Sequence, residues 1–237
     1  MKPKFETLPN ELLISIAGYL SQYDLHSLAL TCKKLTSTAE SVLYRAPVMG
    51  KLYTEHQDPL YTKKCLLTFT QTLLRFPRLA SRVRSLSLTV SRGGLEAPFD
   101  PEIIRRVERV LREVGQHSSQ WASRIEDWKN QLEVGHGVTW TGLLLTIVPK
   151  LRTLTIEILS DYGLQIASTY QGELRYDHEL LERLFGYIGE NFDAAALSPL
   201  NLTAISGLRH LQILRYFCYD MASSWIYLPA LEYLEIG

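Results

Sequence analysis

Leu8-Pro9-Asn10-Glu11-Leu12-Leu13-Ile14-Ser15-Ile16-Ala17-Gly18-Tyr19-Leu20 is the stretch on which the fold turns. Pro9 suits a first helical turn, where its missing N–H has no partner to lose. Glu11 follows at the positive end of the helix dipole. From that start Leu12, Ile16 and Tyr19 fall on one face, and Leu13, Ala17 and Leu20 fall beside it. Ser21 and Asp24 are candidate caps in the break that follows. A second run, Leu25, Leu28, Ala29 and Cys32, predicts another short helix. Lys33 and Lys34 are expected at its C-terminal end, where cations are favoured. A third helix carries Ala39, Val42 and Leu43, with Ser37 or Thr38 as its cap.

Three helices of this size cannot bury so much apolar surface among themselves. Units of about 40 residues usually need an outside contribution to be stable. Each exposed Leu or Ile forgoes about 1.5–3 kcal/mol of burial. Two covers satisfy this: the rest of the chain, with the helices as an N-terminal cap, or a partner protein.

Taken in order and in register, Leu8-Pro9, Glu11-Leu12-Leu13, Ile16, Tyr19-Leu20, Leu25, Leu28 and Cys32-Lys33 resemble the F-box motif over roughly residues 5 to 45. Leu35 stands where that family often carries Trp or Phe. The resemblance implies binding to a Skp-type adaptor, and through it to a cullin scaffold and a ubiquitin-conjugating enzyme. Leu8, Pro9, Leu12, Ile16, Leu20, Leu25 and Leu28 would form or support that interface. It also implies a substrate-recruiting subunit that holds an unknown target protein and needs no catalytic residue or cofactor of its own.

Beyond the module, residues 46–62 are expected to be a linker, punctuated by Pro47, Gly50 and Pro59. A related unit then recurs: Phe76-Pro77-Arg78-Leu79 before Val83–Leu88, Val148-Pro149-Lys150-Leu151 before Arg152–Ile158, Gly207–Leu211 before Gln212–Tyr216, and Leu228-Pro229-Ala230-Leu231 before Glu232–Ile236. Each alternates like a short strand. Helical stretches, 64–75 and 141–148, precede the first two. Such units resemble leucine-rich repeats, but anchoring them on Leu86, Leu154, Leu214 and Leu234 gives spacings of 68, 60 and 20 residues. The fold class expected is α/β. It comprises an N-terminal three-helix module (1–45) followed by an irregular leucine-rich-repeat-like solenoid of helices and short parallel strands (63–237), incomplete at its C-terminus. An unrelated α/β domain with parallel strands fits the same pattern.

Within that region a helical insertion is expected near 100–134. Asp100 caps it, Pro101 opens it, and Ile103, Ile104, Val107, Val110, Leu111 and Val114 form its apolar stripe. Glu102–Arg106 and Glu108–Arg112 are spaced as ion pairs on its outer face. Trp121, Ile125, Trp128 and Leu132 suggest a second helix. If strand leucines point inward, the intervening residues form a target-facing surface. These are Ser85, Ser87 and Thr89; Thr153, Thr155 and Glu157; Ile213, Arg215 and Phe217; Tyr233 and Glu235.

Composition narrows the rest. The chain has 237 residues, 46% of them hydrophobic, and 25 basic residues balance 25 acidic ones. That argues for a folded core and against a nucleic-acid or anionic-membrane binder. Cys32, Cys65 and Cys218 show neither disulfide nor zinc spacing, so no metal is expected and a reducing cytoplasm or nucleus fits. The longest apolar patch, Trp140 to Val148, is far short of the ~20 residues of a membrane span. None of the six histidines lies in a metal motif. His178 and Glu182 share a helical spacing, and Gly135-His136-Gly137 reads as a turn. No glycine-rich phosphate loop or nucleophile elbow occurs. The readings left open are a ligase adaptor, a scaffolding repeat protein with a helical cap, and an α/β enzyme whose site is assembled from distant residues.

Overall fold

The computed structural model describes residues 8–49, 59–91, 100–115, 129–130, 132–133, 137–159, 207–214 and 230–236. Three short helices come first: α1 (Asn10–Ala17), α2 (Gln22–Ala29) and α3 (Lys33–Leu43). Pro9 precedes α1 as its N-cap. Ser21 caps α2 as expected. Its hydroxyl accepts from the Asp24 N–H at 3.1 Å and donates to the Asp24 carboxylate at 2.7 Å. The third helix begins earlier than its side chains suggest. Cys32 occupies the N-cap without any side-chain hydrogen bond. Ser37 and Thr38 therefore lie inside α3, and Lys33 and Lys34 open it rather than closing α2. Lys34 spans back to the first turn, donating to the Leu8 carbonyl at 2.9 Å.

No plain linker follows. Within 46–62, Val48–Met49 form strand β1, and Pro59 starts α4 (Pro59–Arg75), a helix that begins before the expected Lys64. Next come α5 (Pro77–Ala80), β2 (Ser85–Ser91), α6 (Pro101–Gly115), α7 (Gly137–Ile147), β3 (Thr153–Leu159), β4 (His210–Leu214) and β5 (Tyr233–Ile236). Asp100 caps α6, its carboxylate accepting from the Glu102 N–H at 2.9 Å. Trp121, Ile125 and Trp128 lie outside the described residues, as do His178, Glu182 and the 135–136 part of the expected turn; Leu132 is buried.

The five strands form one parallel sheet in sequential order, β1-β2-β3-β4-β5. The repeated units are what stack. Leu86 pairs with Leu154, Leu154 with Leu211, and Leu211 with Leu234. The third unit is thus anchored on Leu211, not Leu214. A backbone ladder at the strand entrances fixes this register. The Arg84 and Ser85 N–H groups both donate to the Arg45 carbonyl, at 2.9 and 3.0 Å. Arg152 and Thr153 do the same to Arg84, Arg209 and His210 to Arg152, and Glu232 and Tyr233 to Arg209, at 2.7–3.0 Å. The sequence behind each rung is apolar–charged–polar–Leu: Val83-Arg84-Ser85-Leu86, Leu151-Arg152-Thr153-Leu154, Leu208-Arg209-His210-Leu211 and Leu231-Glu232-Tyr233-Leu234.

One face of this sheet is apolar. Leu86, Leu88, Val90, Leu154, Ile156 and Leu211 are buried there in one cluster with residues of α4, α6 and α7, including Leu73, Ile103, Val107, Leu111, Trp140 and Leu143. The Trp140 indole N–H is satisfied by the Leu132 carbonyl at 3.1 Å, so burying it costs little. A second, smaller cluster of Ala17, Leu25 and Ala39 holds α1–α3 together, flanked by Leu20, Leu28, Ala29, Val42 and Leu43.

Candidate protein-interaction surfaces

The first surface lies on α1 and α2. Their inward residues, Leu13, Ala17 and Leu25, are buried. Their outward residues remain in solvent although they are large and apolar: Leu12 is 52% exposed, Ile16 40%, Tyr19 89%, Tyr23 81% and Leu30 76%. Ile14 is exposed too. The cover that these helices lack is not supplied by the rest of the described chain. So many large apolar side chains exposed on one small unit mark an interaction site.

The residues expected at this surface divide by position. Pro9, Leu12 and Ile16 are exposed; Leu8, Leu20 and Leu28 are half-buried; Leu25 is buried in the small core and can only support the face from beneath. Ile14, Tyr23 and Leu30 were missed by the sequence reading. The signal available for them was that each lies off the stripe of Leu13, Ala17, Leu25, Leu28 and Ala29.

This module is locked to the sheet. Arg45, directly after α3, supplies the first carbonyl of the backbone ladder. The Tyr44 ring stacks on Phe69 of α4 with centroids 6.0 Å apart. Burial, and then the nearby Glu40, push the Tyr44 hydroxyl above its usual pKa. Glu40 also faces Arg78 at 3.6 Å and Arg82 at 3.8 Å.

The second surface is the sheet face opposite the apolar one. Strand register sets its rows: Ser85, Thr153, His210 and Tyr233; then Ser87, Thr155, Gln212 and Glu235; then Thr89, Glu157 and Leu214. Two expectations need correction. Ile213 pairs with Ile156 and Ile236, in the row that includes Leu88 of the apolar face. The outward residue there is Gln212. In addition, Thr89, Thr155 and Glu157 are buried and not free for a target. Thr89 donates to the Glu157 carboxylate at 3.3 Å. Ser85, Ser87 and Thr153 are half-buried, while Tyr233 and Glu235 are exposed. Arg215 and Phe217 lie outside the described residues.

A chain of hydrogen bonds crosses the strands. Thr155 donates to the Gln212 side-chain oxygen at 3.3 Å, and Gln212 donates to Glu235 Oε2 at 2.9 Å. The Tyr233 hydroxyl donates to the same Glu235 oxygen at 3.3 Å. The His210 and Tyr233 rings lie 6.2 Å apart, tilted by 53°.

On α6, Arg106 is held by Glu102 at 2.5 Å, as expected, and also donates to the Leu74 carbonyl. Glu108 pairs instead with Lys129 at 3.0 Å. These contacts give Arg106 a structural role, tying α6 to the end of α4. Among the described residues no group of three or more His, Cys, Asp or Glu could hold a metal ion, and no helix is long and apolar enough to cross a membrane.

In a comparison with known families, residues 5–49 match the F-box-like family. The matched segment coincides with the three-helix module and ends at β1. The chain therefore carries an F-box-like domain. No curated protein matches the chain.

Proposed function

We propose that this protein is a substrate-recruiting adaptor of a Skp–cullin–F-box ubiquitin ligase. The observation that carries this reading is the exposed apolar face of Leu12, Ile16, Tyr19, Tyr23 and Leu30 on a module that matches the F-box-like family. A Skp-type adaptor covers that face, and Leu25 and Leu13 hold it in shape from below. The ladder of in-register units behind the module serves as a leucine-rich-repeat-like platform for a target protein. Catalysis is left to the conjugating enzyme. The protein contributes proximity, raising the local concentration of the target's lysines near that enzyme. The direct junction at Arg45 suits this role, because a rigid connection holds the target at a set distance from the adaptor.

A reconstituted pull-down with a purified Skp-type adaptor tests the proposal. Stoichiometric capture by the full chain supports it. No capture by a folded chain overturns it and leaves the scaffolding reading, in which the module is only a cap.

A further inference from the structure

We propose that the open end of the polar sheet face, around Tyr233 and Glu235, is a cradle for a basic side chain, Arg or Lys, of the target protein. This rests on the adaptor reading above only in calling the partner a target. The cradle itself stands on geometry.

The polar face is closed at one end and open at the other. Thr89, Thr155 and Glu157, toward β2 and β3, are buried. Toward β4 and β5 the face opens: His210 and Glu235 are exposed, and Tyr233 is 53% exposed. Among the described residues this face carries two charged side chains, Glu157 and Glu235, and no Lys or Arg. Glu157 is buried and bonded to Thr89. Glu235 is the one whose charge reaches solvent. Arg209, at the rim, is paired with Glu232 at 3.3 Å.

Glu235 is also preorganised. Two donors, Gln212 and Tyr233, converge on its Oε2, and Gln212 is itself oriented by Thr155. Every donor in this chain points toward the carboxylate, which orients it before any partner arrives. No described donor occupies Oε1. Beside it stands the exposed Tyr233 ring, tilted against His210. A fixed carboxylate oxygen next to an exposed aromatic face is complementary to a cation, which gains an ion pair and a cation–π contact together. A guanidinium adds planar stacking on the tyrosine, and an ammonium presents a compact charge. An acidic partner would meet only repulsion here.

The test uses the full chain in complex with the Skp-type adaptor, and a displayed library of random peptides as the probe. Peptides selected on the wild-type complex are expected to be enriched in Arg or Lys. Their affinity should drop at least tenfold on Glu235→Gln, which keeps the size and the acceptor for Gln212 but removes the charge. Tyr233→Ala should weaken them as well, and 0.5 M salt should weaken wild-type binding and leave Glu235→Gln nearly unaffected. Single Arg→Lys exchanges in the winning peptides tell which cation is preferred. Selection of peptides without basic residues, no selection at all, or equal binding to the Glu235→Gln complex overturns the cradle. Co-purification of the adaptor is read in the same samples. Its loss from the wild-type chain counts against the adaptor reading and not against the cradle.

Discussion

Leu12 and Leu13 are neighbours with opposite fates: one is 52% exposed and the other 1%. The helical phase set by Pro9 separates Leu12 from Leu13 onto adjacent faces, but which of the two faces is covered comes from the structure and not from the phase. The exposure of Tyr23 and Leu30 was not legible in the same way. Tyr23 and Leu30 lie off the stripe of Leu25, Leu28 and Ala29, which signals that they leave the small core but not what they face. The two fates make opposite expectations for substitution. Leu12→Asp or Ile16→Asp places a charge where the adaptor would exclude water, which costs several kcal/mol of binding. Circular dichroism and melting temperature should stay near wild type, since both sites are in solvent. Wild-type adaptor affinity in either variant would sink the F-box assignment. Leu25→Ala should do the reverse. It opens a cavity in a core where Leu25 is the one large side chain between Ala17 and Ala39, at about 2–5 kcal/mol of stability, and it should show in thermal unfolding before it shows in binding.

Elements were legible where a side chain announces their ends. Asp100 and Pro101 mark the start of α6, and Ser21 marks α2. The start of α3 was not legible, because Cys32 caps it with no side-chain bond and Ser37 and Thr38 offered a false one. Strand β4, expected from Gln212, begins at His210, and its faces are exchanged from Ile213 on. Ile213 and Leu214 are both apolar, so alternation has no unique phase there, and a one-residue slip turns every side chain to the other face. Only the pairing of Leu211 with Leu154 resolves it. The α6 cap makes a testable pH dependence. The Glu102 N–H, and then Arg75 at 2.7 Å, hold the Asp100 carboxyl below its ordinary pKa. A lowered folded value means stabilisation that is complete above the unfolded carboxyl's pKa of about 3.9 and is lost as pH falls through the folded value. Asp100→Asn keeps a capping oxygen but loses the charge. Its melting temperature should fall below wild type at pH 7, and the gap should narrow as acid protonates the folded carboxyl. An unchanged gap would mean that the charge at Asp100 is irrelevant to α6.

At the scale of the molecule, a linker was expected where the chain has a junction. The reason is physical: β1 is two residues long, too short to leave an alternating pattern, and its partner strand lies far along the sequence. The small cluster under α1–α3 and the large one under the sheet are nonetheless joined by Arg45, whose carbonyl receives both the Arg84 and Ser85 N–H groups, and by Tyr44 stacked on Phe69. These contacts are expected to couple the module to the sheet. Inserting Gly-Gly between Arg45 and Ala46 should displace β1 from Ser87 and Leu88 while leaving both clusters and the exposed face of α1 intact. Adaptor affinity should remain within about twofold of wild type. Calorimetry should show one unfolding transition for the wild type and two for the insertion, the smaller belonging to α1–α3, since a core of that size holds little stability alone. If the insertion leaves a single transition at the wild-type temperature, the rung at Arg45 does not couple the two parts, and the rigid connection invoked for the proposed adaptor role is lost. If it splits the transition while a target is still held, the proposed adaptor role predicts slower ubiquitin transfer in the reconstituted ligase even though both binding events persist, because in that proposal the protein contributes geometry.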